Sequence, residues 1–129
     1  MFHLQHLDHV ALTVSDIATS VQWYRDVLGL ERRHESAWGD VPAVMCAGDT
    51  CLALFAAHTD QPAAMPNADT TLIMKHLAFR VDRANFKQAQ ASLKQQGIPF
   101  DYGDHTISES IYFHDPDGHR LEITTYDYD

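Results

Sequence analysis

Three residues stand out for the chemistry they would do together: His9, His76 and Glu122. Two imidazoles and one carboxylate converging on a point, with other positions open, form a facial ligand set for a divalent metal. Such a set suits Fe(II), Mn(II), Ni(II) or Zn(II), and its open positions admit a substrate. Taken singly, none carries weight, because a histidine or glutamate on a strand is usually solvated. What joins them is a repeat. His9 opens the segment His9-Val10-Ala11-Leu12-Thr13-Val14-Ser15-Asp16, and His76 opens His76-Leu77-Ala78-Phe79-Arg80-Val81-Asp82. Two copies of one unit that begin with the same ligating residue place those residues equivalently.

Strand parity carries the argument further. Side chains alternate faces along a strand. Val10, Leu12 and Val14 must share a face beneath a helix, which leaves His9, Ala11 and Thr13 on the other. Leu77, Phe79 and Val81 pack inward, and His76, Ala78 and Arg80 oppose them. Leu121 and Ile123 oppose Glu122 and Thr124. All three candidate ligands therefore lie away from the helices. Ser110, Tyr112 and His114 share one face of the preceding strand, and Ile111 and Phe113 share the other. Arg80 sits beside His76 as a cation for an anionic substrate, although a solvated or ion-paired arginine is the plainer reading.

The elements that position these residues follow from capping and periodicity. Ser15 or Asp16 caps a helix whose stripe is Ile17, Val21, Tyr24 and Leu28, and Gly29 ends it. Asp82 starts a second helix with Phe86, Ala89 and Leu93 on one face, and Gly97 ends that one. Three short strands follow each helix, at 31–37, 41–47 and 50–57, then at 100–103, 109–114 and 120–126. Gly48-Asp49 and Asp115-Pro116-Asp117-Gly118 are the hairpin turns. The chain reads as an α+β protein of one domain, 1–129. It has two βαβββ modules, 4–57 and 72–127, joined by a surface linker over 58–71 that holds Pro62 and Pro66.

Bulk composition removes whole classes of partner. The chain has 129 residues, 45% of them apolar, which suits one packed domain. Asp and Glu outnumber Lys and Arg by 18 to 9, for a formal charge of -9. Nucleic acid and anionic membranes both need a basic footprint, so neither is expected. No stretch is long and apolar enough to span a bilayer. The start MFHLQHLDHV lacks the features of a signal peptide, so a cytoplasmic location is expected. In that compartment Cys46 and Cys51 read as two small thiols rather than a disulfide across a hairpin.

LDHVALTVSD, WYRDVLGLE and IYFHDPDGHRLEI resemble the vicinal oxygen chelate superfamily, which includes glyoxalase I, extradiol dioxygenases, fosfomycin-resistance thiol transferases and bleomycin-binding proteins. The resemblance covers nearly the whole chain. It implies an open, cup-shaped mixed sheet with helices outside, and a metal on His9, His76 and Glu122. It also implies a homodimer acting on a small molecule. The family's fourth ligand position falls on Ala53, where glyoxalase I has a carboxylate needed for proton transfer. Three ligands suit the extradiol and thiol-transferase branches better. In both branches a functional tyrosine falls on Tyr112, which would donate to or orient a substrate oxygen. An extradiol-type acid–base histidine would fall nearest His58. Against fosfomycin chemistry, Ala11 stands where that branch has threonine, and Tyr102 where it has lysine.

These readings favour a divalent-metal enzyme that chelates a substrate through adjacent oxygens, with extradiol-type ring cleavage ranked slightly above lyase or isomerase chemistry. A metal-free drug-binding protein is the rival, with Trp38, Trp23 and Tyr24 lining an aromatic groove. A non-catalytic dimeric domain is the third reading.

Overall fold

The computed structural model describes residues 1–128. The chain forms two compact units, Met1–Ala63 and the remainder from Ala64. Each builds one four-stranded mixed sheet, so the doubled α+β architecture holds. The first unit runs β1 (His9–Val14), α1 (Ile17–Leu28), β2 (Glu31–Arg33), α2 (Glu35–Trp38), β3 (Ala43–Ala47) and β4 (Thr50–Ala56). The second runs β5 (Leu77–Arg80), α3 (Arg83–Gln95), β6 (Asp101–Asp104), β7 (Glu109–His114) and β8 (Arg120–Thr125).

The sheet orders are β1-β4-β3-β2 and β5-β8-β7-β6. In each unit the first strand pairs in parallel with the last, and the other neighbours are antiparallel. A parallel partner needs a long crossover, and the helix with two further strands supplies it. Asp16 caps α1 by accepting from the Thr19 backbone N–H at 2.8 Å, and Asp82 caps α3 by accepting from that of Asn85 at 2.9 Å. Both bonds favour the ionised carboxyl and hold these two aspartates below the usual range. Gly29 closes α1 in the left-handed region at φ 67°, where a Cβ would be strained.

The cores are the faces that parity assigned. Leu12, Val14, Val21 and Tyr24 are buried in the first unit, and Phe86, Leu93, Ile111, Phe113, Leu121 and Ile123 in the second. Burying each such side chain stabilises its unit by roughly 1.5–3 kcal/mol before entropy is counted. On the helix side of the second sheet, Glu109 accepts from Arg83 Nη1 at 2.7 Å and from the Tyr102 hydroxyl at 2.5 Å. That cluster ties α3 to β6 and β7.

Two expectations are corrected. The strand expected over 31–37 stops at Arg33, and α2 follows. Arg32 Nη2 donates to the Gly39 carbonyl at 2.8 Å and to Asp40 Oδ1 at 2.6 Å, which folds the segment back on itself. The run Arg32-Arg33-His34-Glu35-Ser36 has no apolar alternation to hold it in the sheet. The two cysteines are not free thiols: Cys46 and Cys51 form a disulfide with Cα atoms 4.1 Å apart. They are directly opposed across the β3–β4 hairpin, so the register brings the sulfurs together. Thiol titration of the unreduced, denatured protein should find no free cysteine. Two reactive thiols per chain would show that the bridge does not form in solution.

The Tyr102–Glu109 bond sets a second test. It favours the protonated phenol and pushes the Tyr102 pKa up to about 12. A folded pKa above the unfolded one means the native state keeps a proton that the unfolded chain has lost. Stability from this bond is complete below the ordinary phenol pKa and is lost as pH rises toward about 12. Urea unfolding of the wild type should weaken across that window relative to Tyr102→Phe, the difference between the two shrinking at its top. Parallel pH profiles for both proteins would rule the bond out.

Candidate functional site

Parallel pairing of β5 with β8 sets Ala78 opposite Glu122, and antiparallel pairing of β7 with β8 sets Tyr112 opposite Glu122. His76, immediately before β5, is carried to the same face. Its Nε2 lies 2.8 Å from Glu122 Oε1. Glu122 is only 8% exposed, so its charge must be compensated locally. His76 meets one oxygen, and the Ser110 hydroxyl donates to the other at 2.6 Å. Ser110 also lies 2.9 Å from Thr124 Oγ1, which has the Glu109 carbonyl at 3.2 Å.

Tyr112 lies over this pair. Its ring meets the His76 ring edge-on, with centroids 5.6 Å apart, and the Arg120 guanidinium sits 4.6 Å above its centroid. Burial first, and then the Glu122 charge, raise the phenol pKa above its usual value. Tyr112 is therefore a protonated donor at neutral pH. Its hydroxyl shares a 2.7 Å hydrogen bond with Nε2 of His105, a residue that the sequence reading missed. Gly103 leaves room for this contact. A Cβ there would stand 3.2 Å from His105 Nε2 and 3.6 Å from the Tyr112 ring. The readable signal was a glycine on β6, opposite Ser110, two residues before a histidine.

The structure also gives Tyr102 and Arg80 their partners. Tyr102 is opposite Ile111 and bonds Glu109, so it lies on the helix side and away from Tyr112. Asp101 and Gly103 are the β6 residues on the Tyr112 face. Arg80 stacks over the Tyr126 ring at 4.5 Å.

In the first unit His9 Nδ1 lies 2.8 Å from Asp8 Oδ2, which leaves Nε2 as the nitrogen for a metal. A ligating histidine commonly has its other nitrogen on a carboxylate, which fixes the tautomer and raises basicity. His9 is opposite Cys51, and Ala11 is opposite Ala53, which is buried. A cavity of about 410 Å³ opens beside His9, walled by Trp38, Val41, Val44 and Phe55. His58 is exposed beyond the end of β4 and does not line that cavity. Trp23 and Tyr24 meet edge-on within α1, and Tyr24 is fully buried, so only Trp38 of the proposed aromatic groove lines the cavity.

Each unit by itself offers donor types that a divalent metal takes. One imidazole is backed by a carboxylate, and one buried carboxylate faces a second imidazole and is held by a hydroxyl. Among the described residues, neither unit by itself assembles three such side chains around one point. The structure brings His76, Glu122 and Tyr112 together within the second unit, and His9 belongs to the first.

A family model matches residues 6–123, that of the Glyoxalase/Bleomycin resistance protein/Dioxygenase superfamily. The chain belongs to this superfamily. It is 33% identical over 125 residues to a metallothiol transferase FosB of Staphylococcus epidermidis, covering 92% of this chain and 80% of the relative. It is 27% identical over 118 residues to a catechol-2,3-dioxygenase of Bacillus subtilis, covering 92% of this chain but 40% of that longer protein. The fold matches the crystal structure of a glyoxalase/dioxygenase from Nostoc punctiforme, with a TM-score of 0.79 and 26% identity over 94% of this chain and 90% of the other. No helix among the described residues is long and apolar enough to cross a membrane.

The Gly103 contact gives a direct test. Gly103→Ala should lengthen and weaken the His105–Tyr112 hydrogen bond, because a Cβ 3.2 Å from Nε2 makes the imidazole give by a few tenths of an ångström. Nitrogen-15 shifts of the His105 ring should move toward those of a solvated imidazole, with the fold intact by circular dichroism. Unchanged shifts would mean that the ring accommodates the methyl group and that glycine is not needed there.

Proposed function

We propose that the protein is a divalent-metal enzyme that binds a small substrate through two adjacent oxygens, with His9, His76 and Glu122 as ligands. The observation that carries the reading is the His76–Glu122 contact, in which a nearly buried carboxylate is held by Ser110 beneath Tyr112. When bound, the metal would supply Lewis-acid stabilisation of negative charge developing on the substrate. The chain's own residues do the rest. Asp8 and Ser110 orient His9 and Glu122. Tyr112, protonated at neutral pH, donates to a substrate oxygen, and His105 holds the phenol in place.

Among reactions, extradiol-type cleavage of a catechol is the leading assignment. Ala53 lacks the carboxylate that glyoxalase proton transfer would use, and one relative is named a catechol dioxygenase. His58 is its acid–base candidate. Thiol transfer is the second reading, favoured by the 33% identity to the staphylococcal metallothiol transferase. A homodimer is part of both proposals, with ligands contributed within one chain or by two.

Metal content decides first. The untagged protein should carry or take up about one equivalent of Fe, Mn, Ni or Zn per site. His9→Ala and Glu122→Ala should abolish uptake, and Ser110→Ala should weaken it by roughly 10–100-fold, the usual effect of removing a ligand's supporting bond. Failure of the wild-type protein to bind any of these metals after reconstitution would overturn the reading.

A further inference from the structure

The cavity beside His9 has a composition that the metal reading does not use. Trp38 is 53% exposed, Val41 78% and Phe55 39%. Single exposed apolar residues are ordinary, but here three surround one hollow of about 410 Å³. The His34 and Trp38 rings lie 4.9 Å apart and tilted, which gives the hollow an aromatic side. Buried Ala53 lines it too, where the longer side chain of a fourth ligand would project.

Charge narrows the occupant. No lysine or arginine lines the cavity, and its only carboxylate is Asp8. The nearest arginines in sequence are engaged elsewhere. Arg32 bonds Gly39 and Asp40, and Arg33 donates to the Gly48 carbonyl. In the metal-free unit an anion entering here would lose hydration, meet no lysine or arginine and face the Asp8 carboxylate. A flat apolar group would cover the exposed rings and release their water.

We propose that this hollow, while no metal is bound beside it, is a subsite for a flat, uncharged aromatic part of the substrate and disfavours anionic groups of the same shape. The volume lies within the range of small-molecule pockets. As a substrate subsite the assignment rests on the proposed function, but the selectivity is a property of the metal-free unit and is measured there.

Two shape-matched probes test it, 2-naphthol and 2-naphthoate, each titrated into the metal-free 129-residue chain. Nitrogen-15 NMR would follow the Trp38 indole N–H and the Ala53 and Phe55 amides. Saturable shifts at these positions with 2-naphthol, at least about tenfold weaker binding of 2-naphthoate, and about tenfold loss of 2-naphthol affinity in Trp38→Ala are expected. Equal affinity for both probes would overturn the charge argument. Shifts confined to other residues would overturn the location. Shifts that follow protein concentration rather than the probe would show the surface to be an interface between copies, and would also overturn the proposal. A wild-type protein that binds no metal but shows the expected shifts would sink the enzyme reading and leave the pocket assignment standing.

Discussion

Parallel pairing between the first and last strand of each unit is the constraint on which the rest depends. It fixes which residues can be neighbours. Once β5 lies against β8 with Ala78 opposite Glu122, parity sends His76, Glu122 and Tyr112 to one face and the leucines, isoleucines and phenylalanines to the other. A slip of one residue would bury the polar set under α3 and expose the apolar set. The large buried side chains Phe86, Leu93, Ile111 and Phe113 oppose that slip. The chemistry is thus held in register by the core on the opposite side of the same sheet.

The buried carboxylate shows how this order is maintained. An unpaired Glu122 carboxylate at this burial would be strongly unfavourable. The His76 imidazole and the Ser110 hydroxyl supply partners for its two oxygens. Such an arrangement is weak support for stability, because apolar residues of similar volume would often serve as well. Its presence on the polar face, under a phenol that is itself hydrogen-bonded to His105, points to use rather than to packing. Glu109, on the other face, has the same compensation from Arg83 and Tyr102, but there it bridges a helix to two strands. Two glutamates on neighbouring strands therefore carry different roles because parity puts them in different surroundings.

Most of this was legible in the sequence because it rests on period-two alternation and on glycine and proline punctuation. The helices, their aspartate caps and the β7–β8 strands fall where the pattern put them, within a residue or two. Three features were not legible. The α2 turn depends on Arg32 reaching across a loop to Gly39 and Asp40, a tertiary bond that no local pattern encodes. The disulfide depends on the β3–β4 register, which sets Cys46 opposite Cys51. Composition and expected compartment argued for thiols, and geometry decided otherwise. His105 was missed because it lies in a loop, where parity says nothing. Its place is set by a hydrogen bond to Tyr112 and by the missing side chain at Gly103.

The same register bears on which branch of the superfamily the site resembles. Tyr102 stands where the fosfomycin branch has a lysine. In the fold it faces α3, and the residue opposite Tyr112 is Asp101, a carboxylate. Three cations of the second unit are already engaged: Arg120 lies over the Tyr112 ring, Arg80 over Tyr126, and Lys75 pairs with Asp69 at 2.9 Å. A strongly anionic substrate would have to displace these contacts in a chain of net charge -9. A neutral group beside Tyr112 would leave these contacts in place.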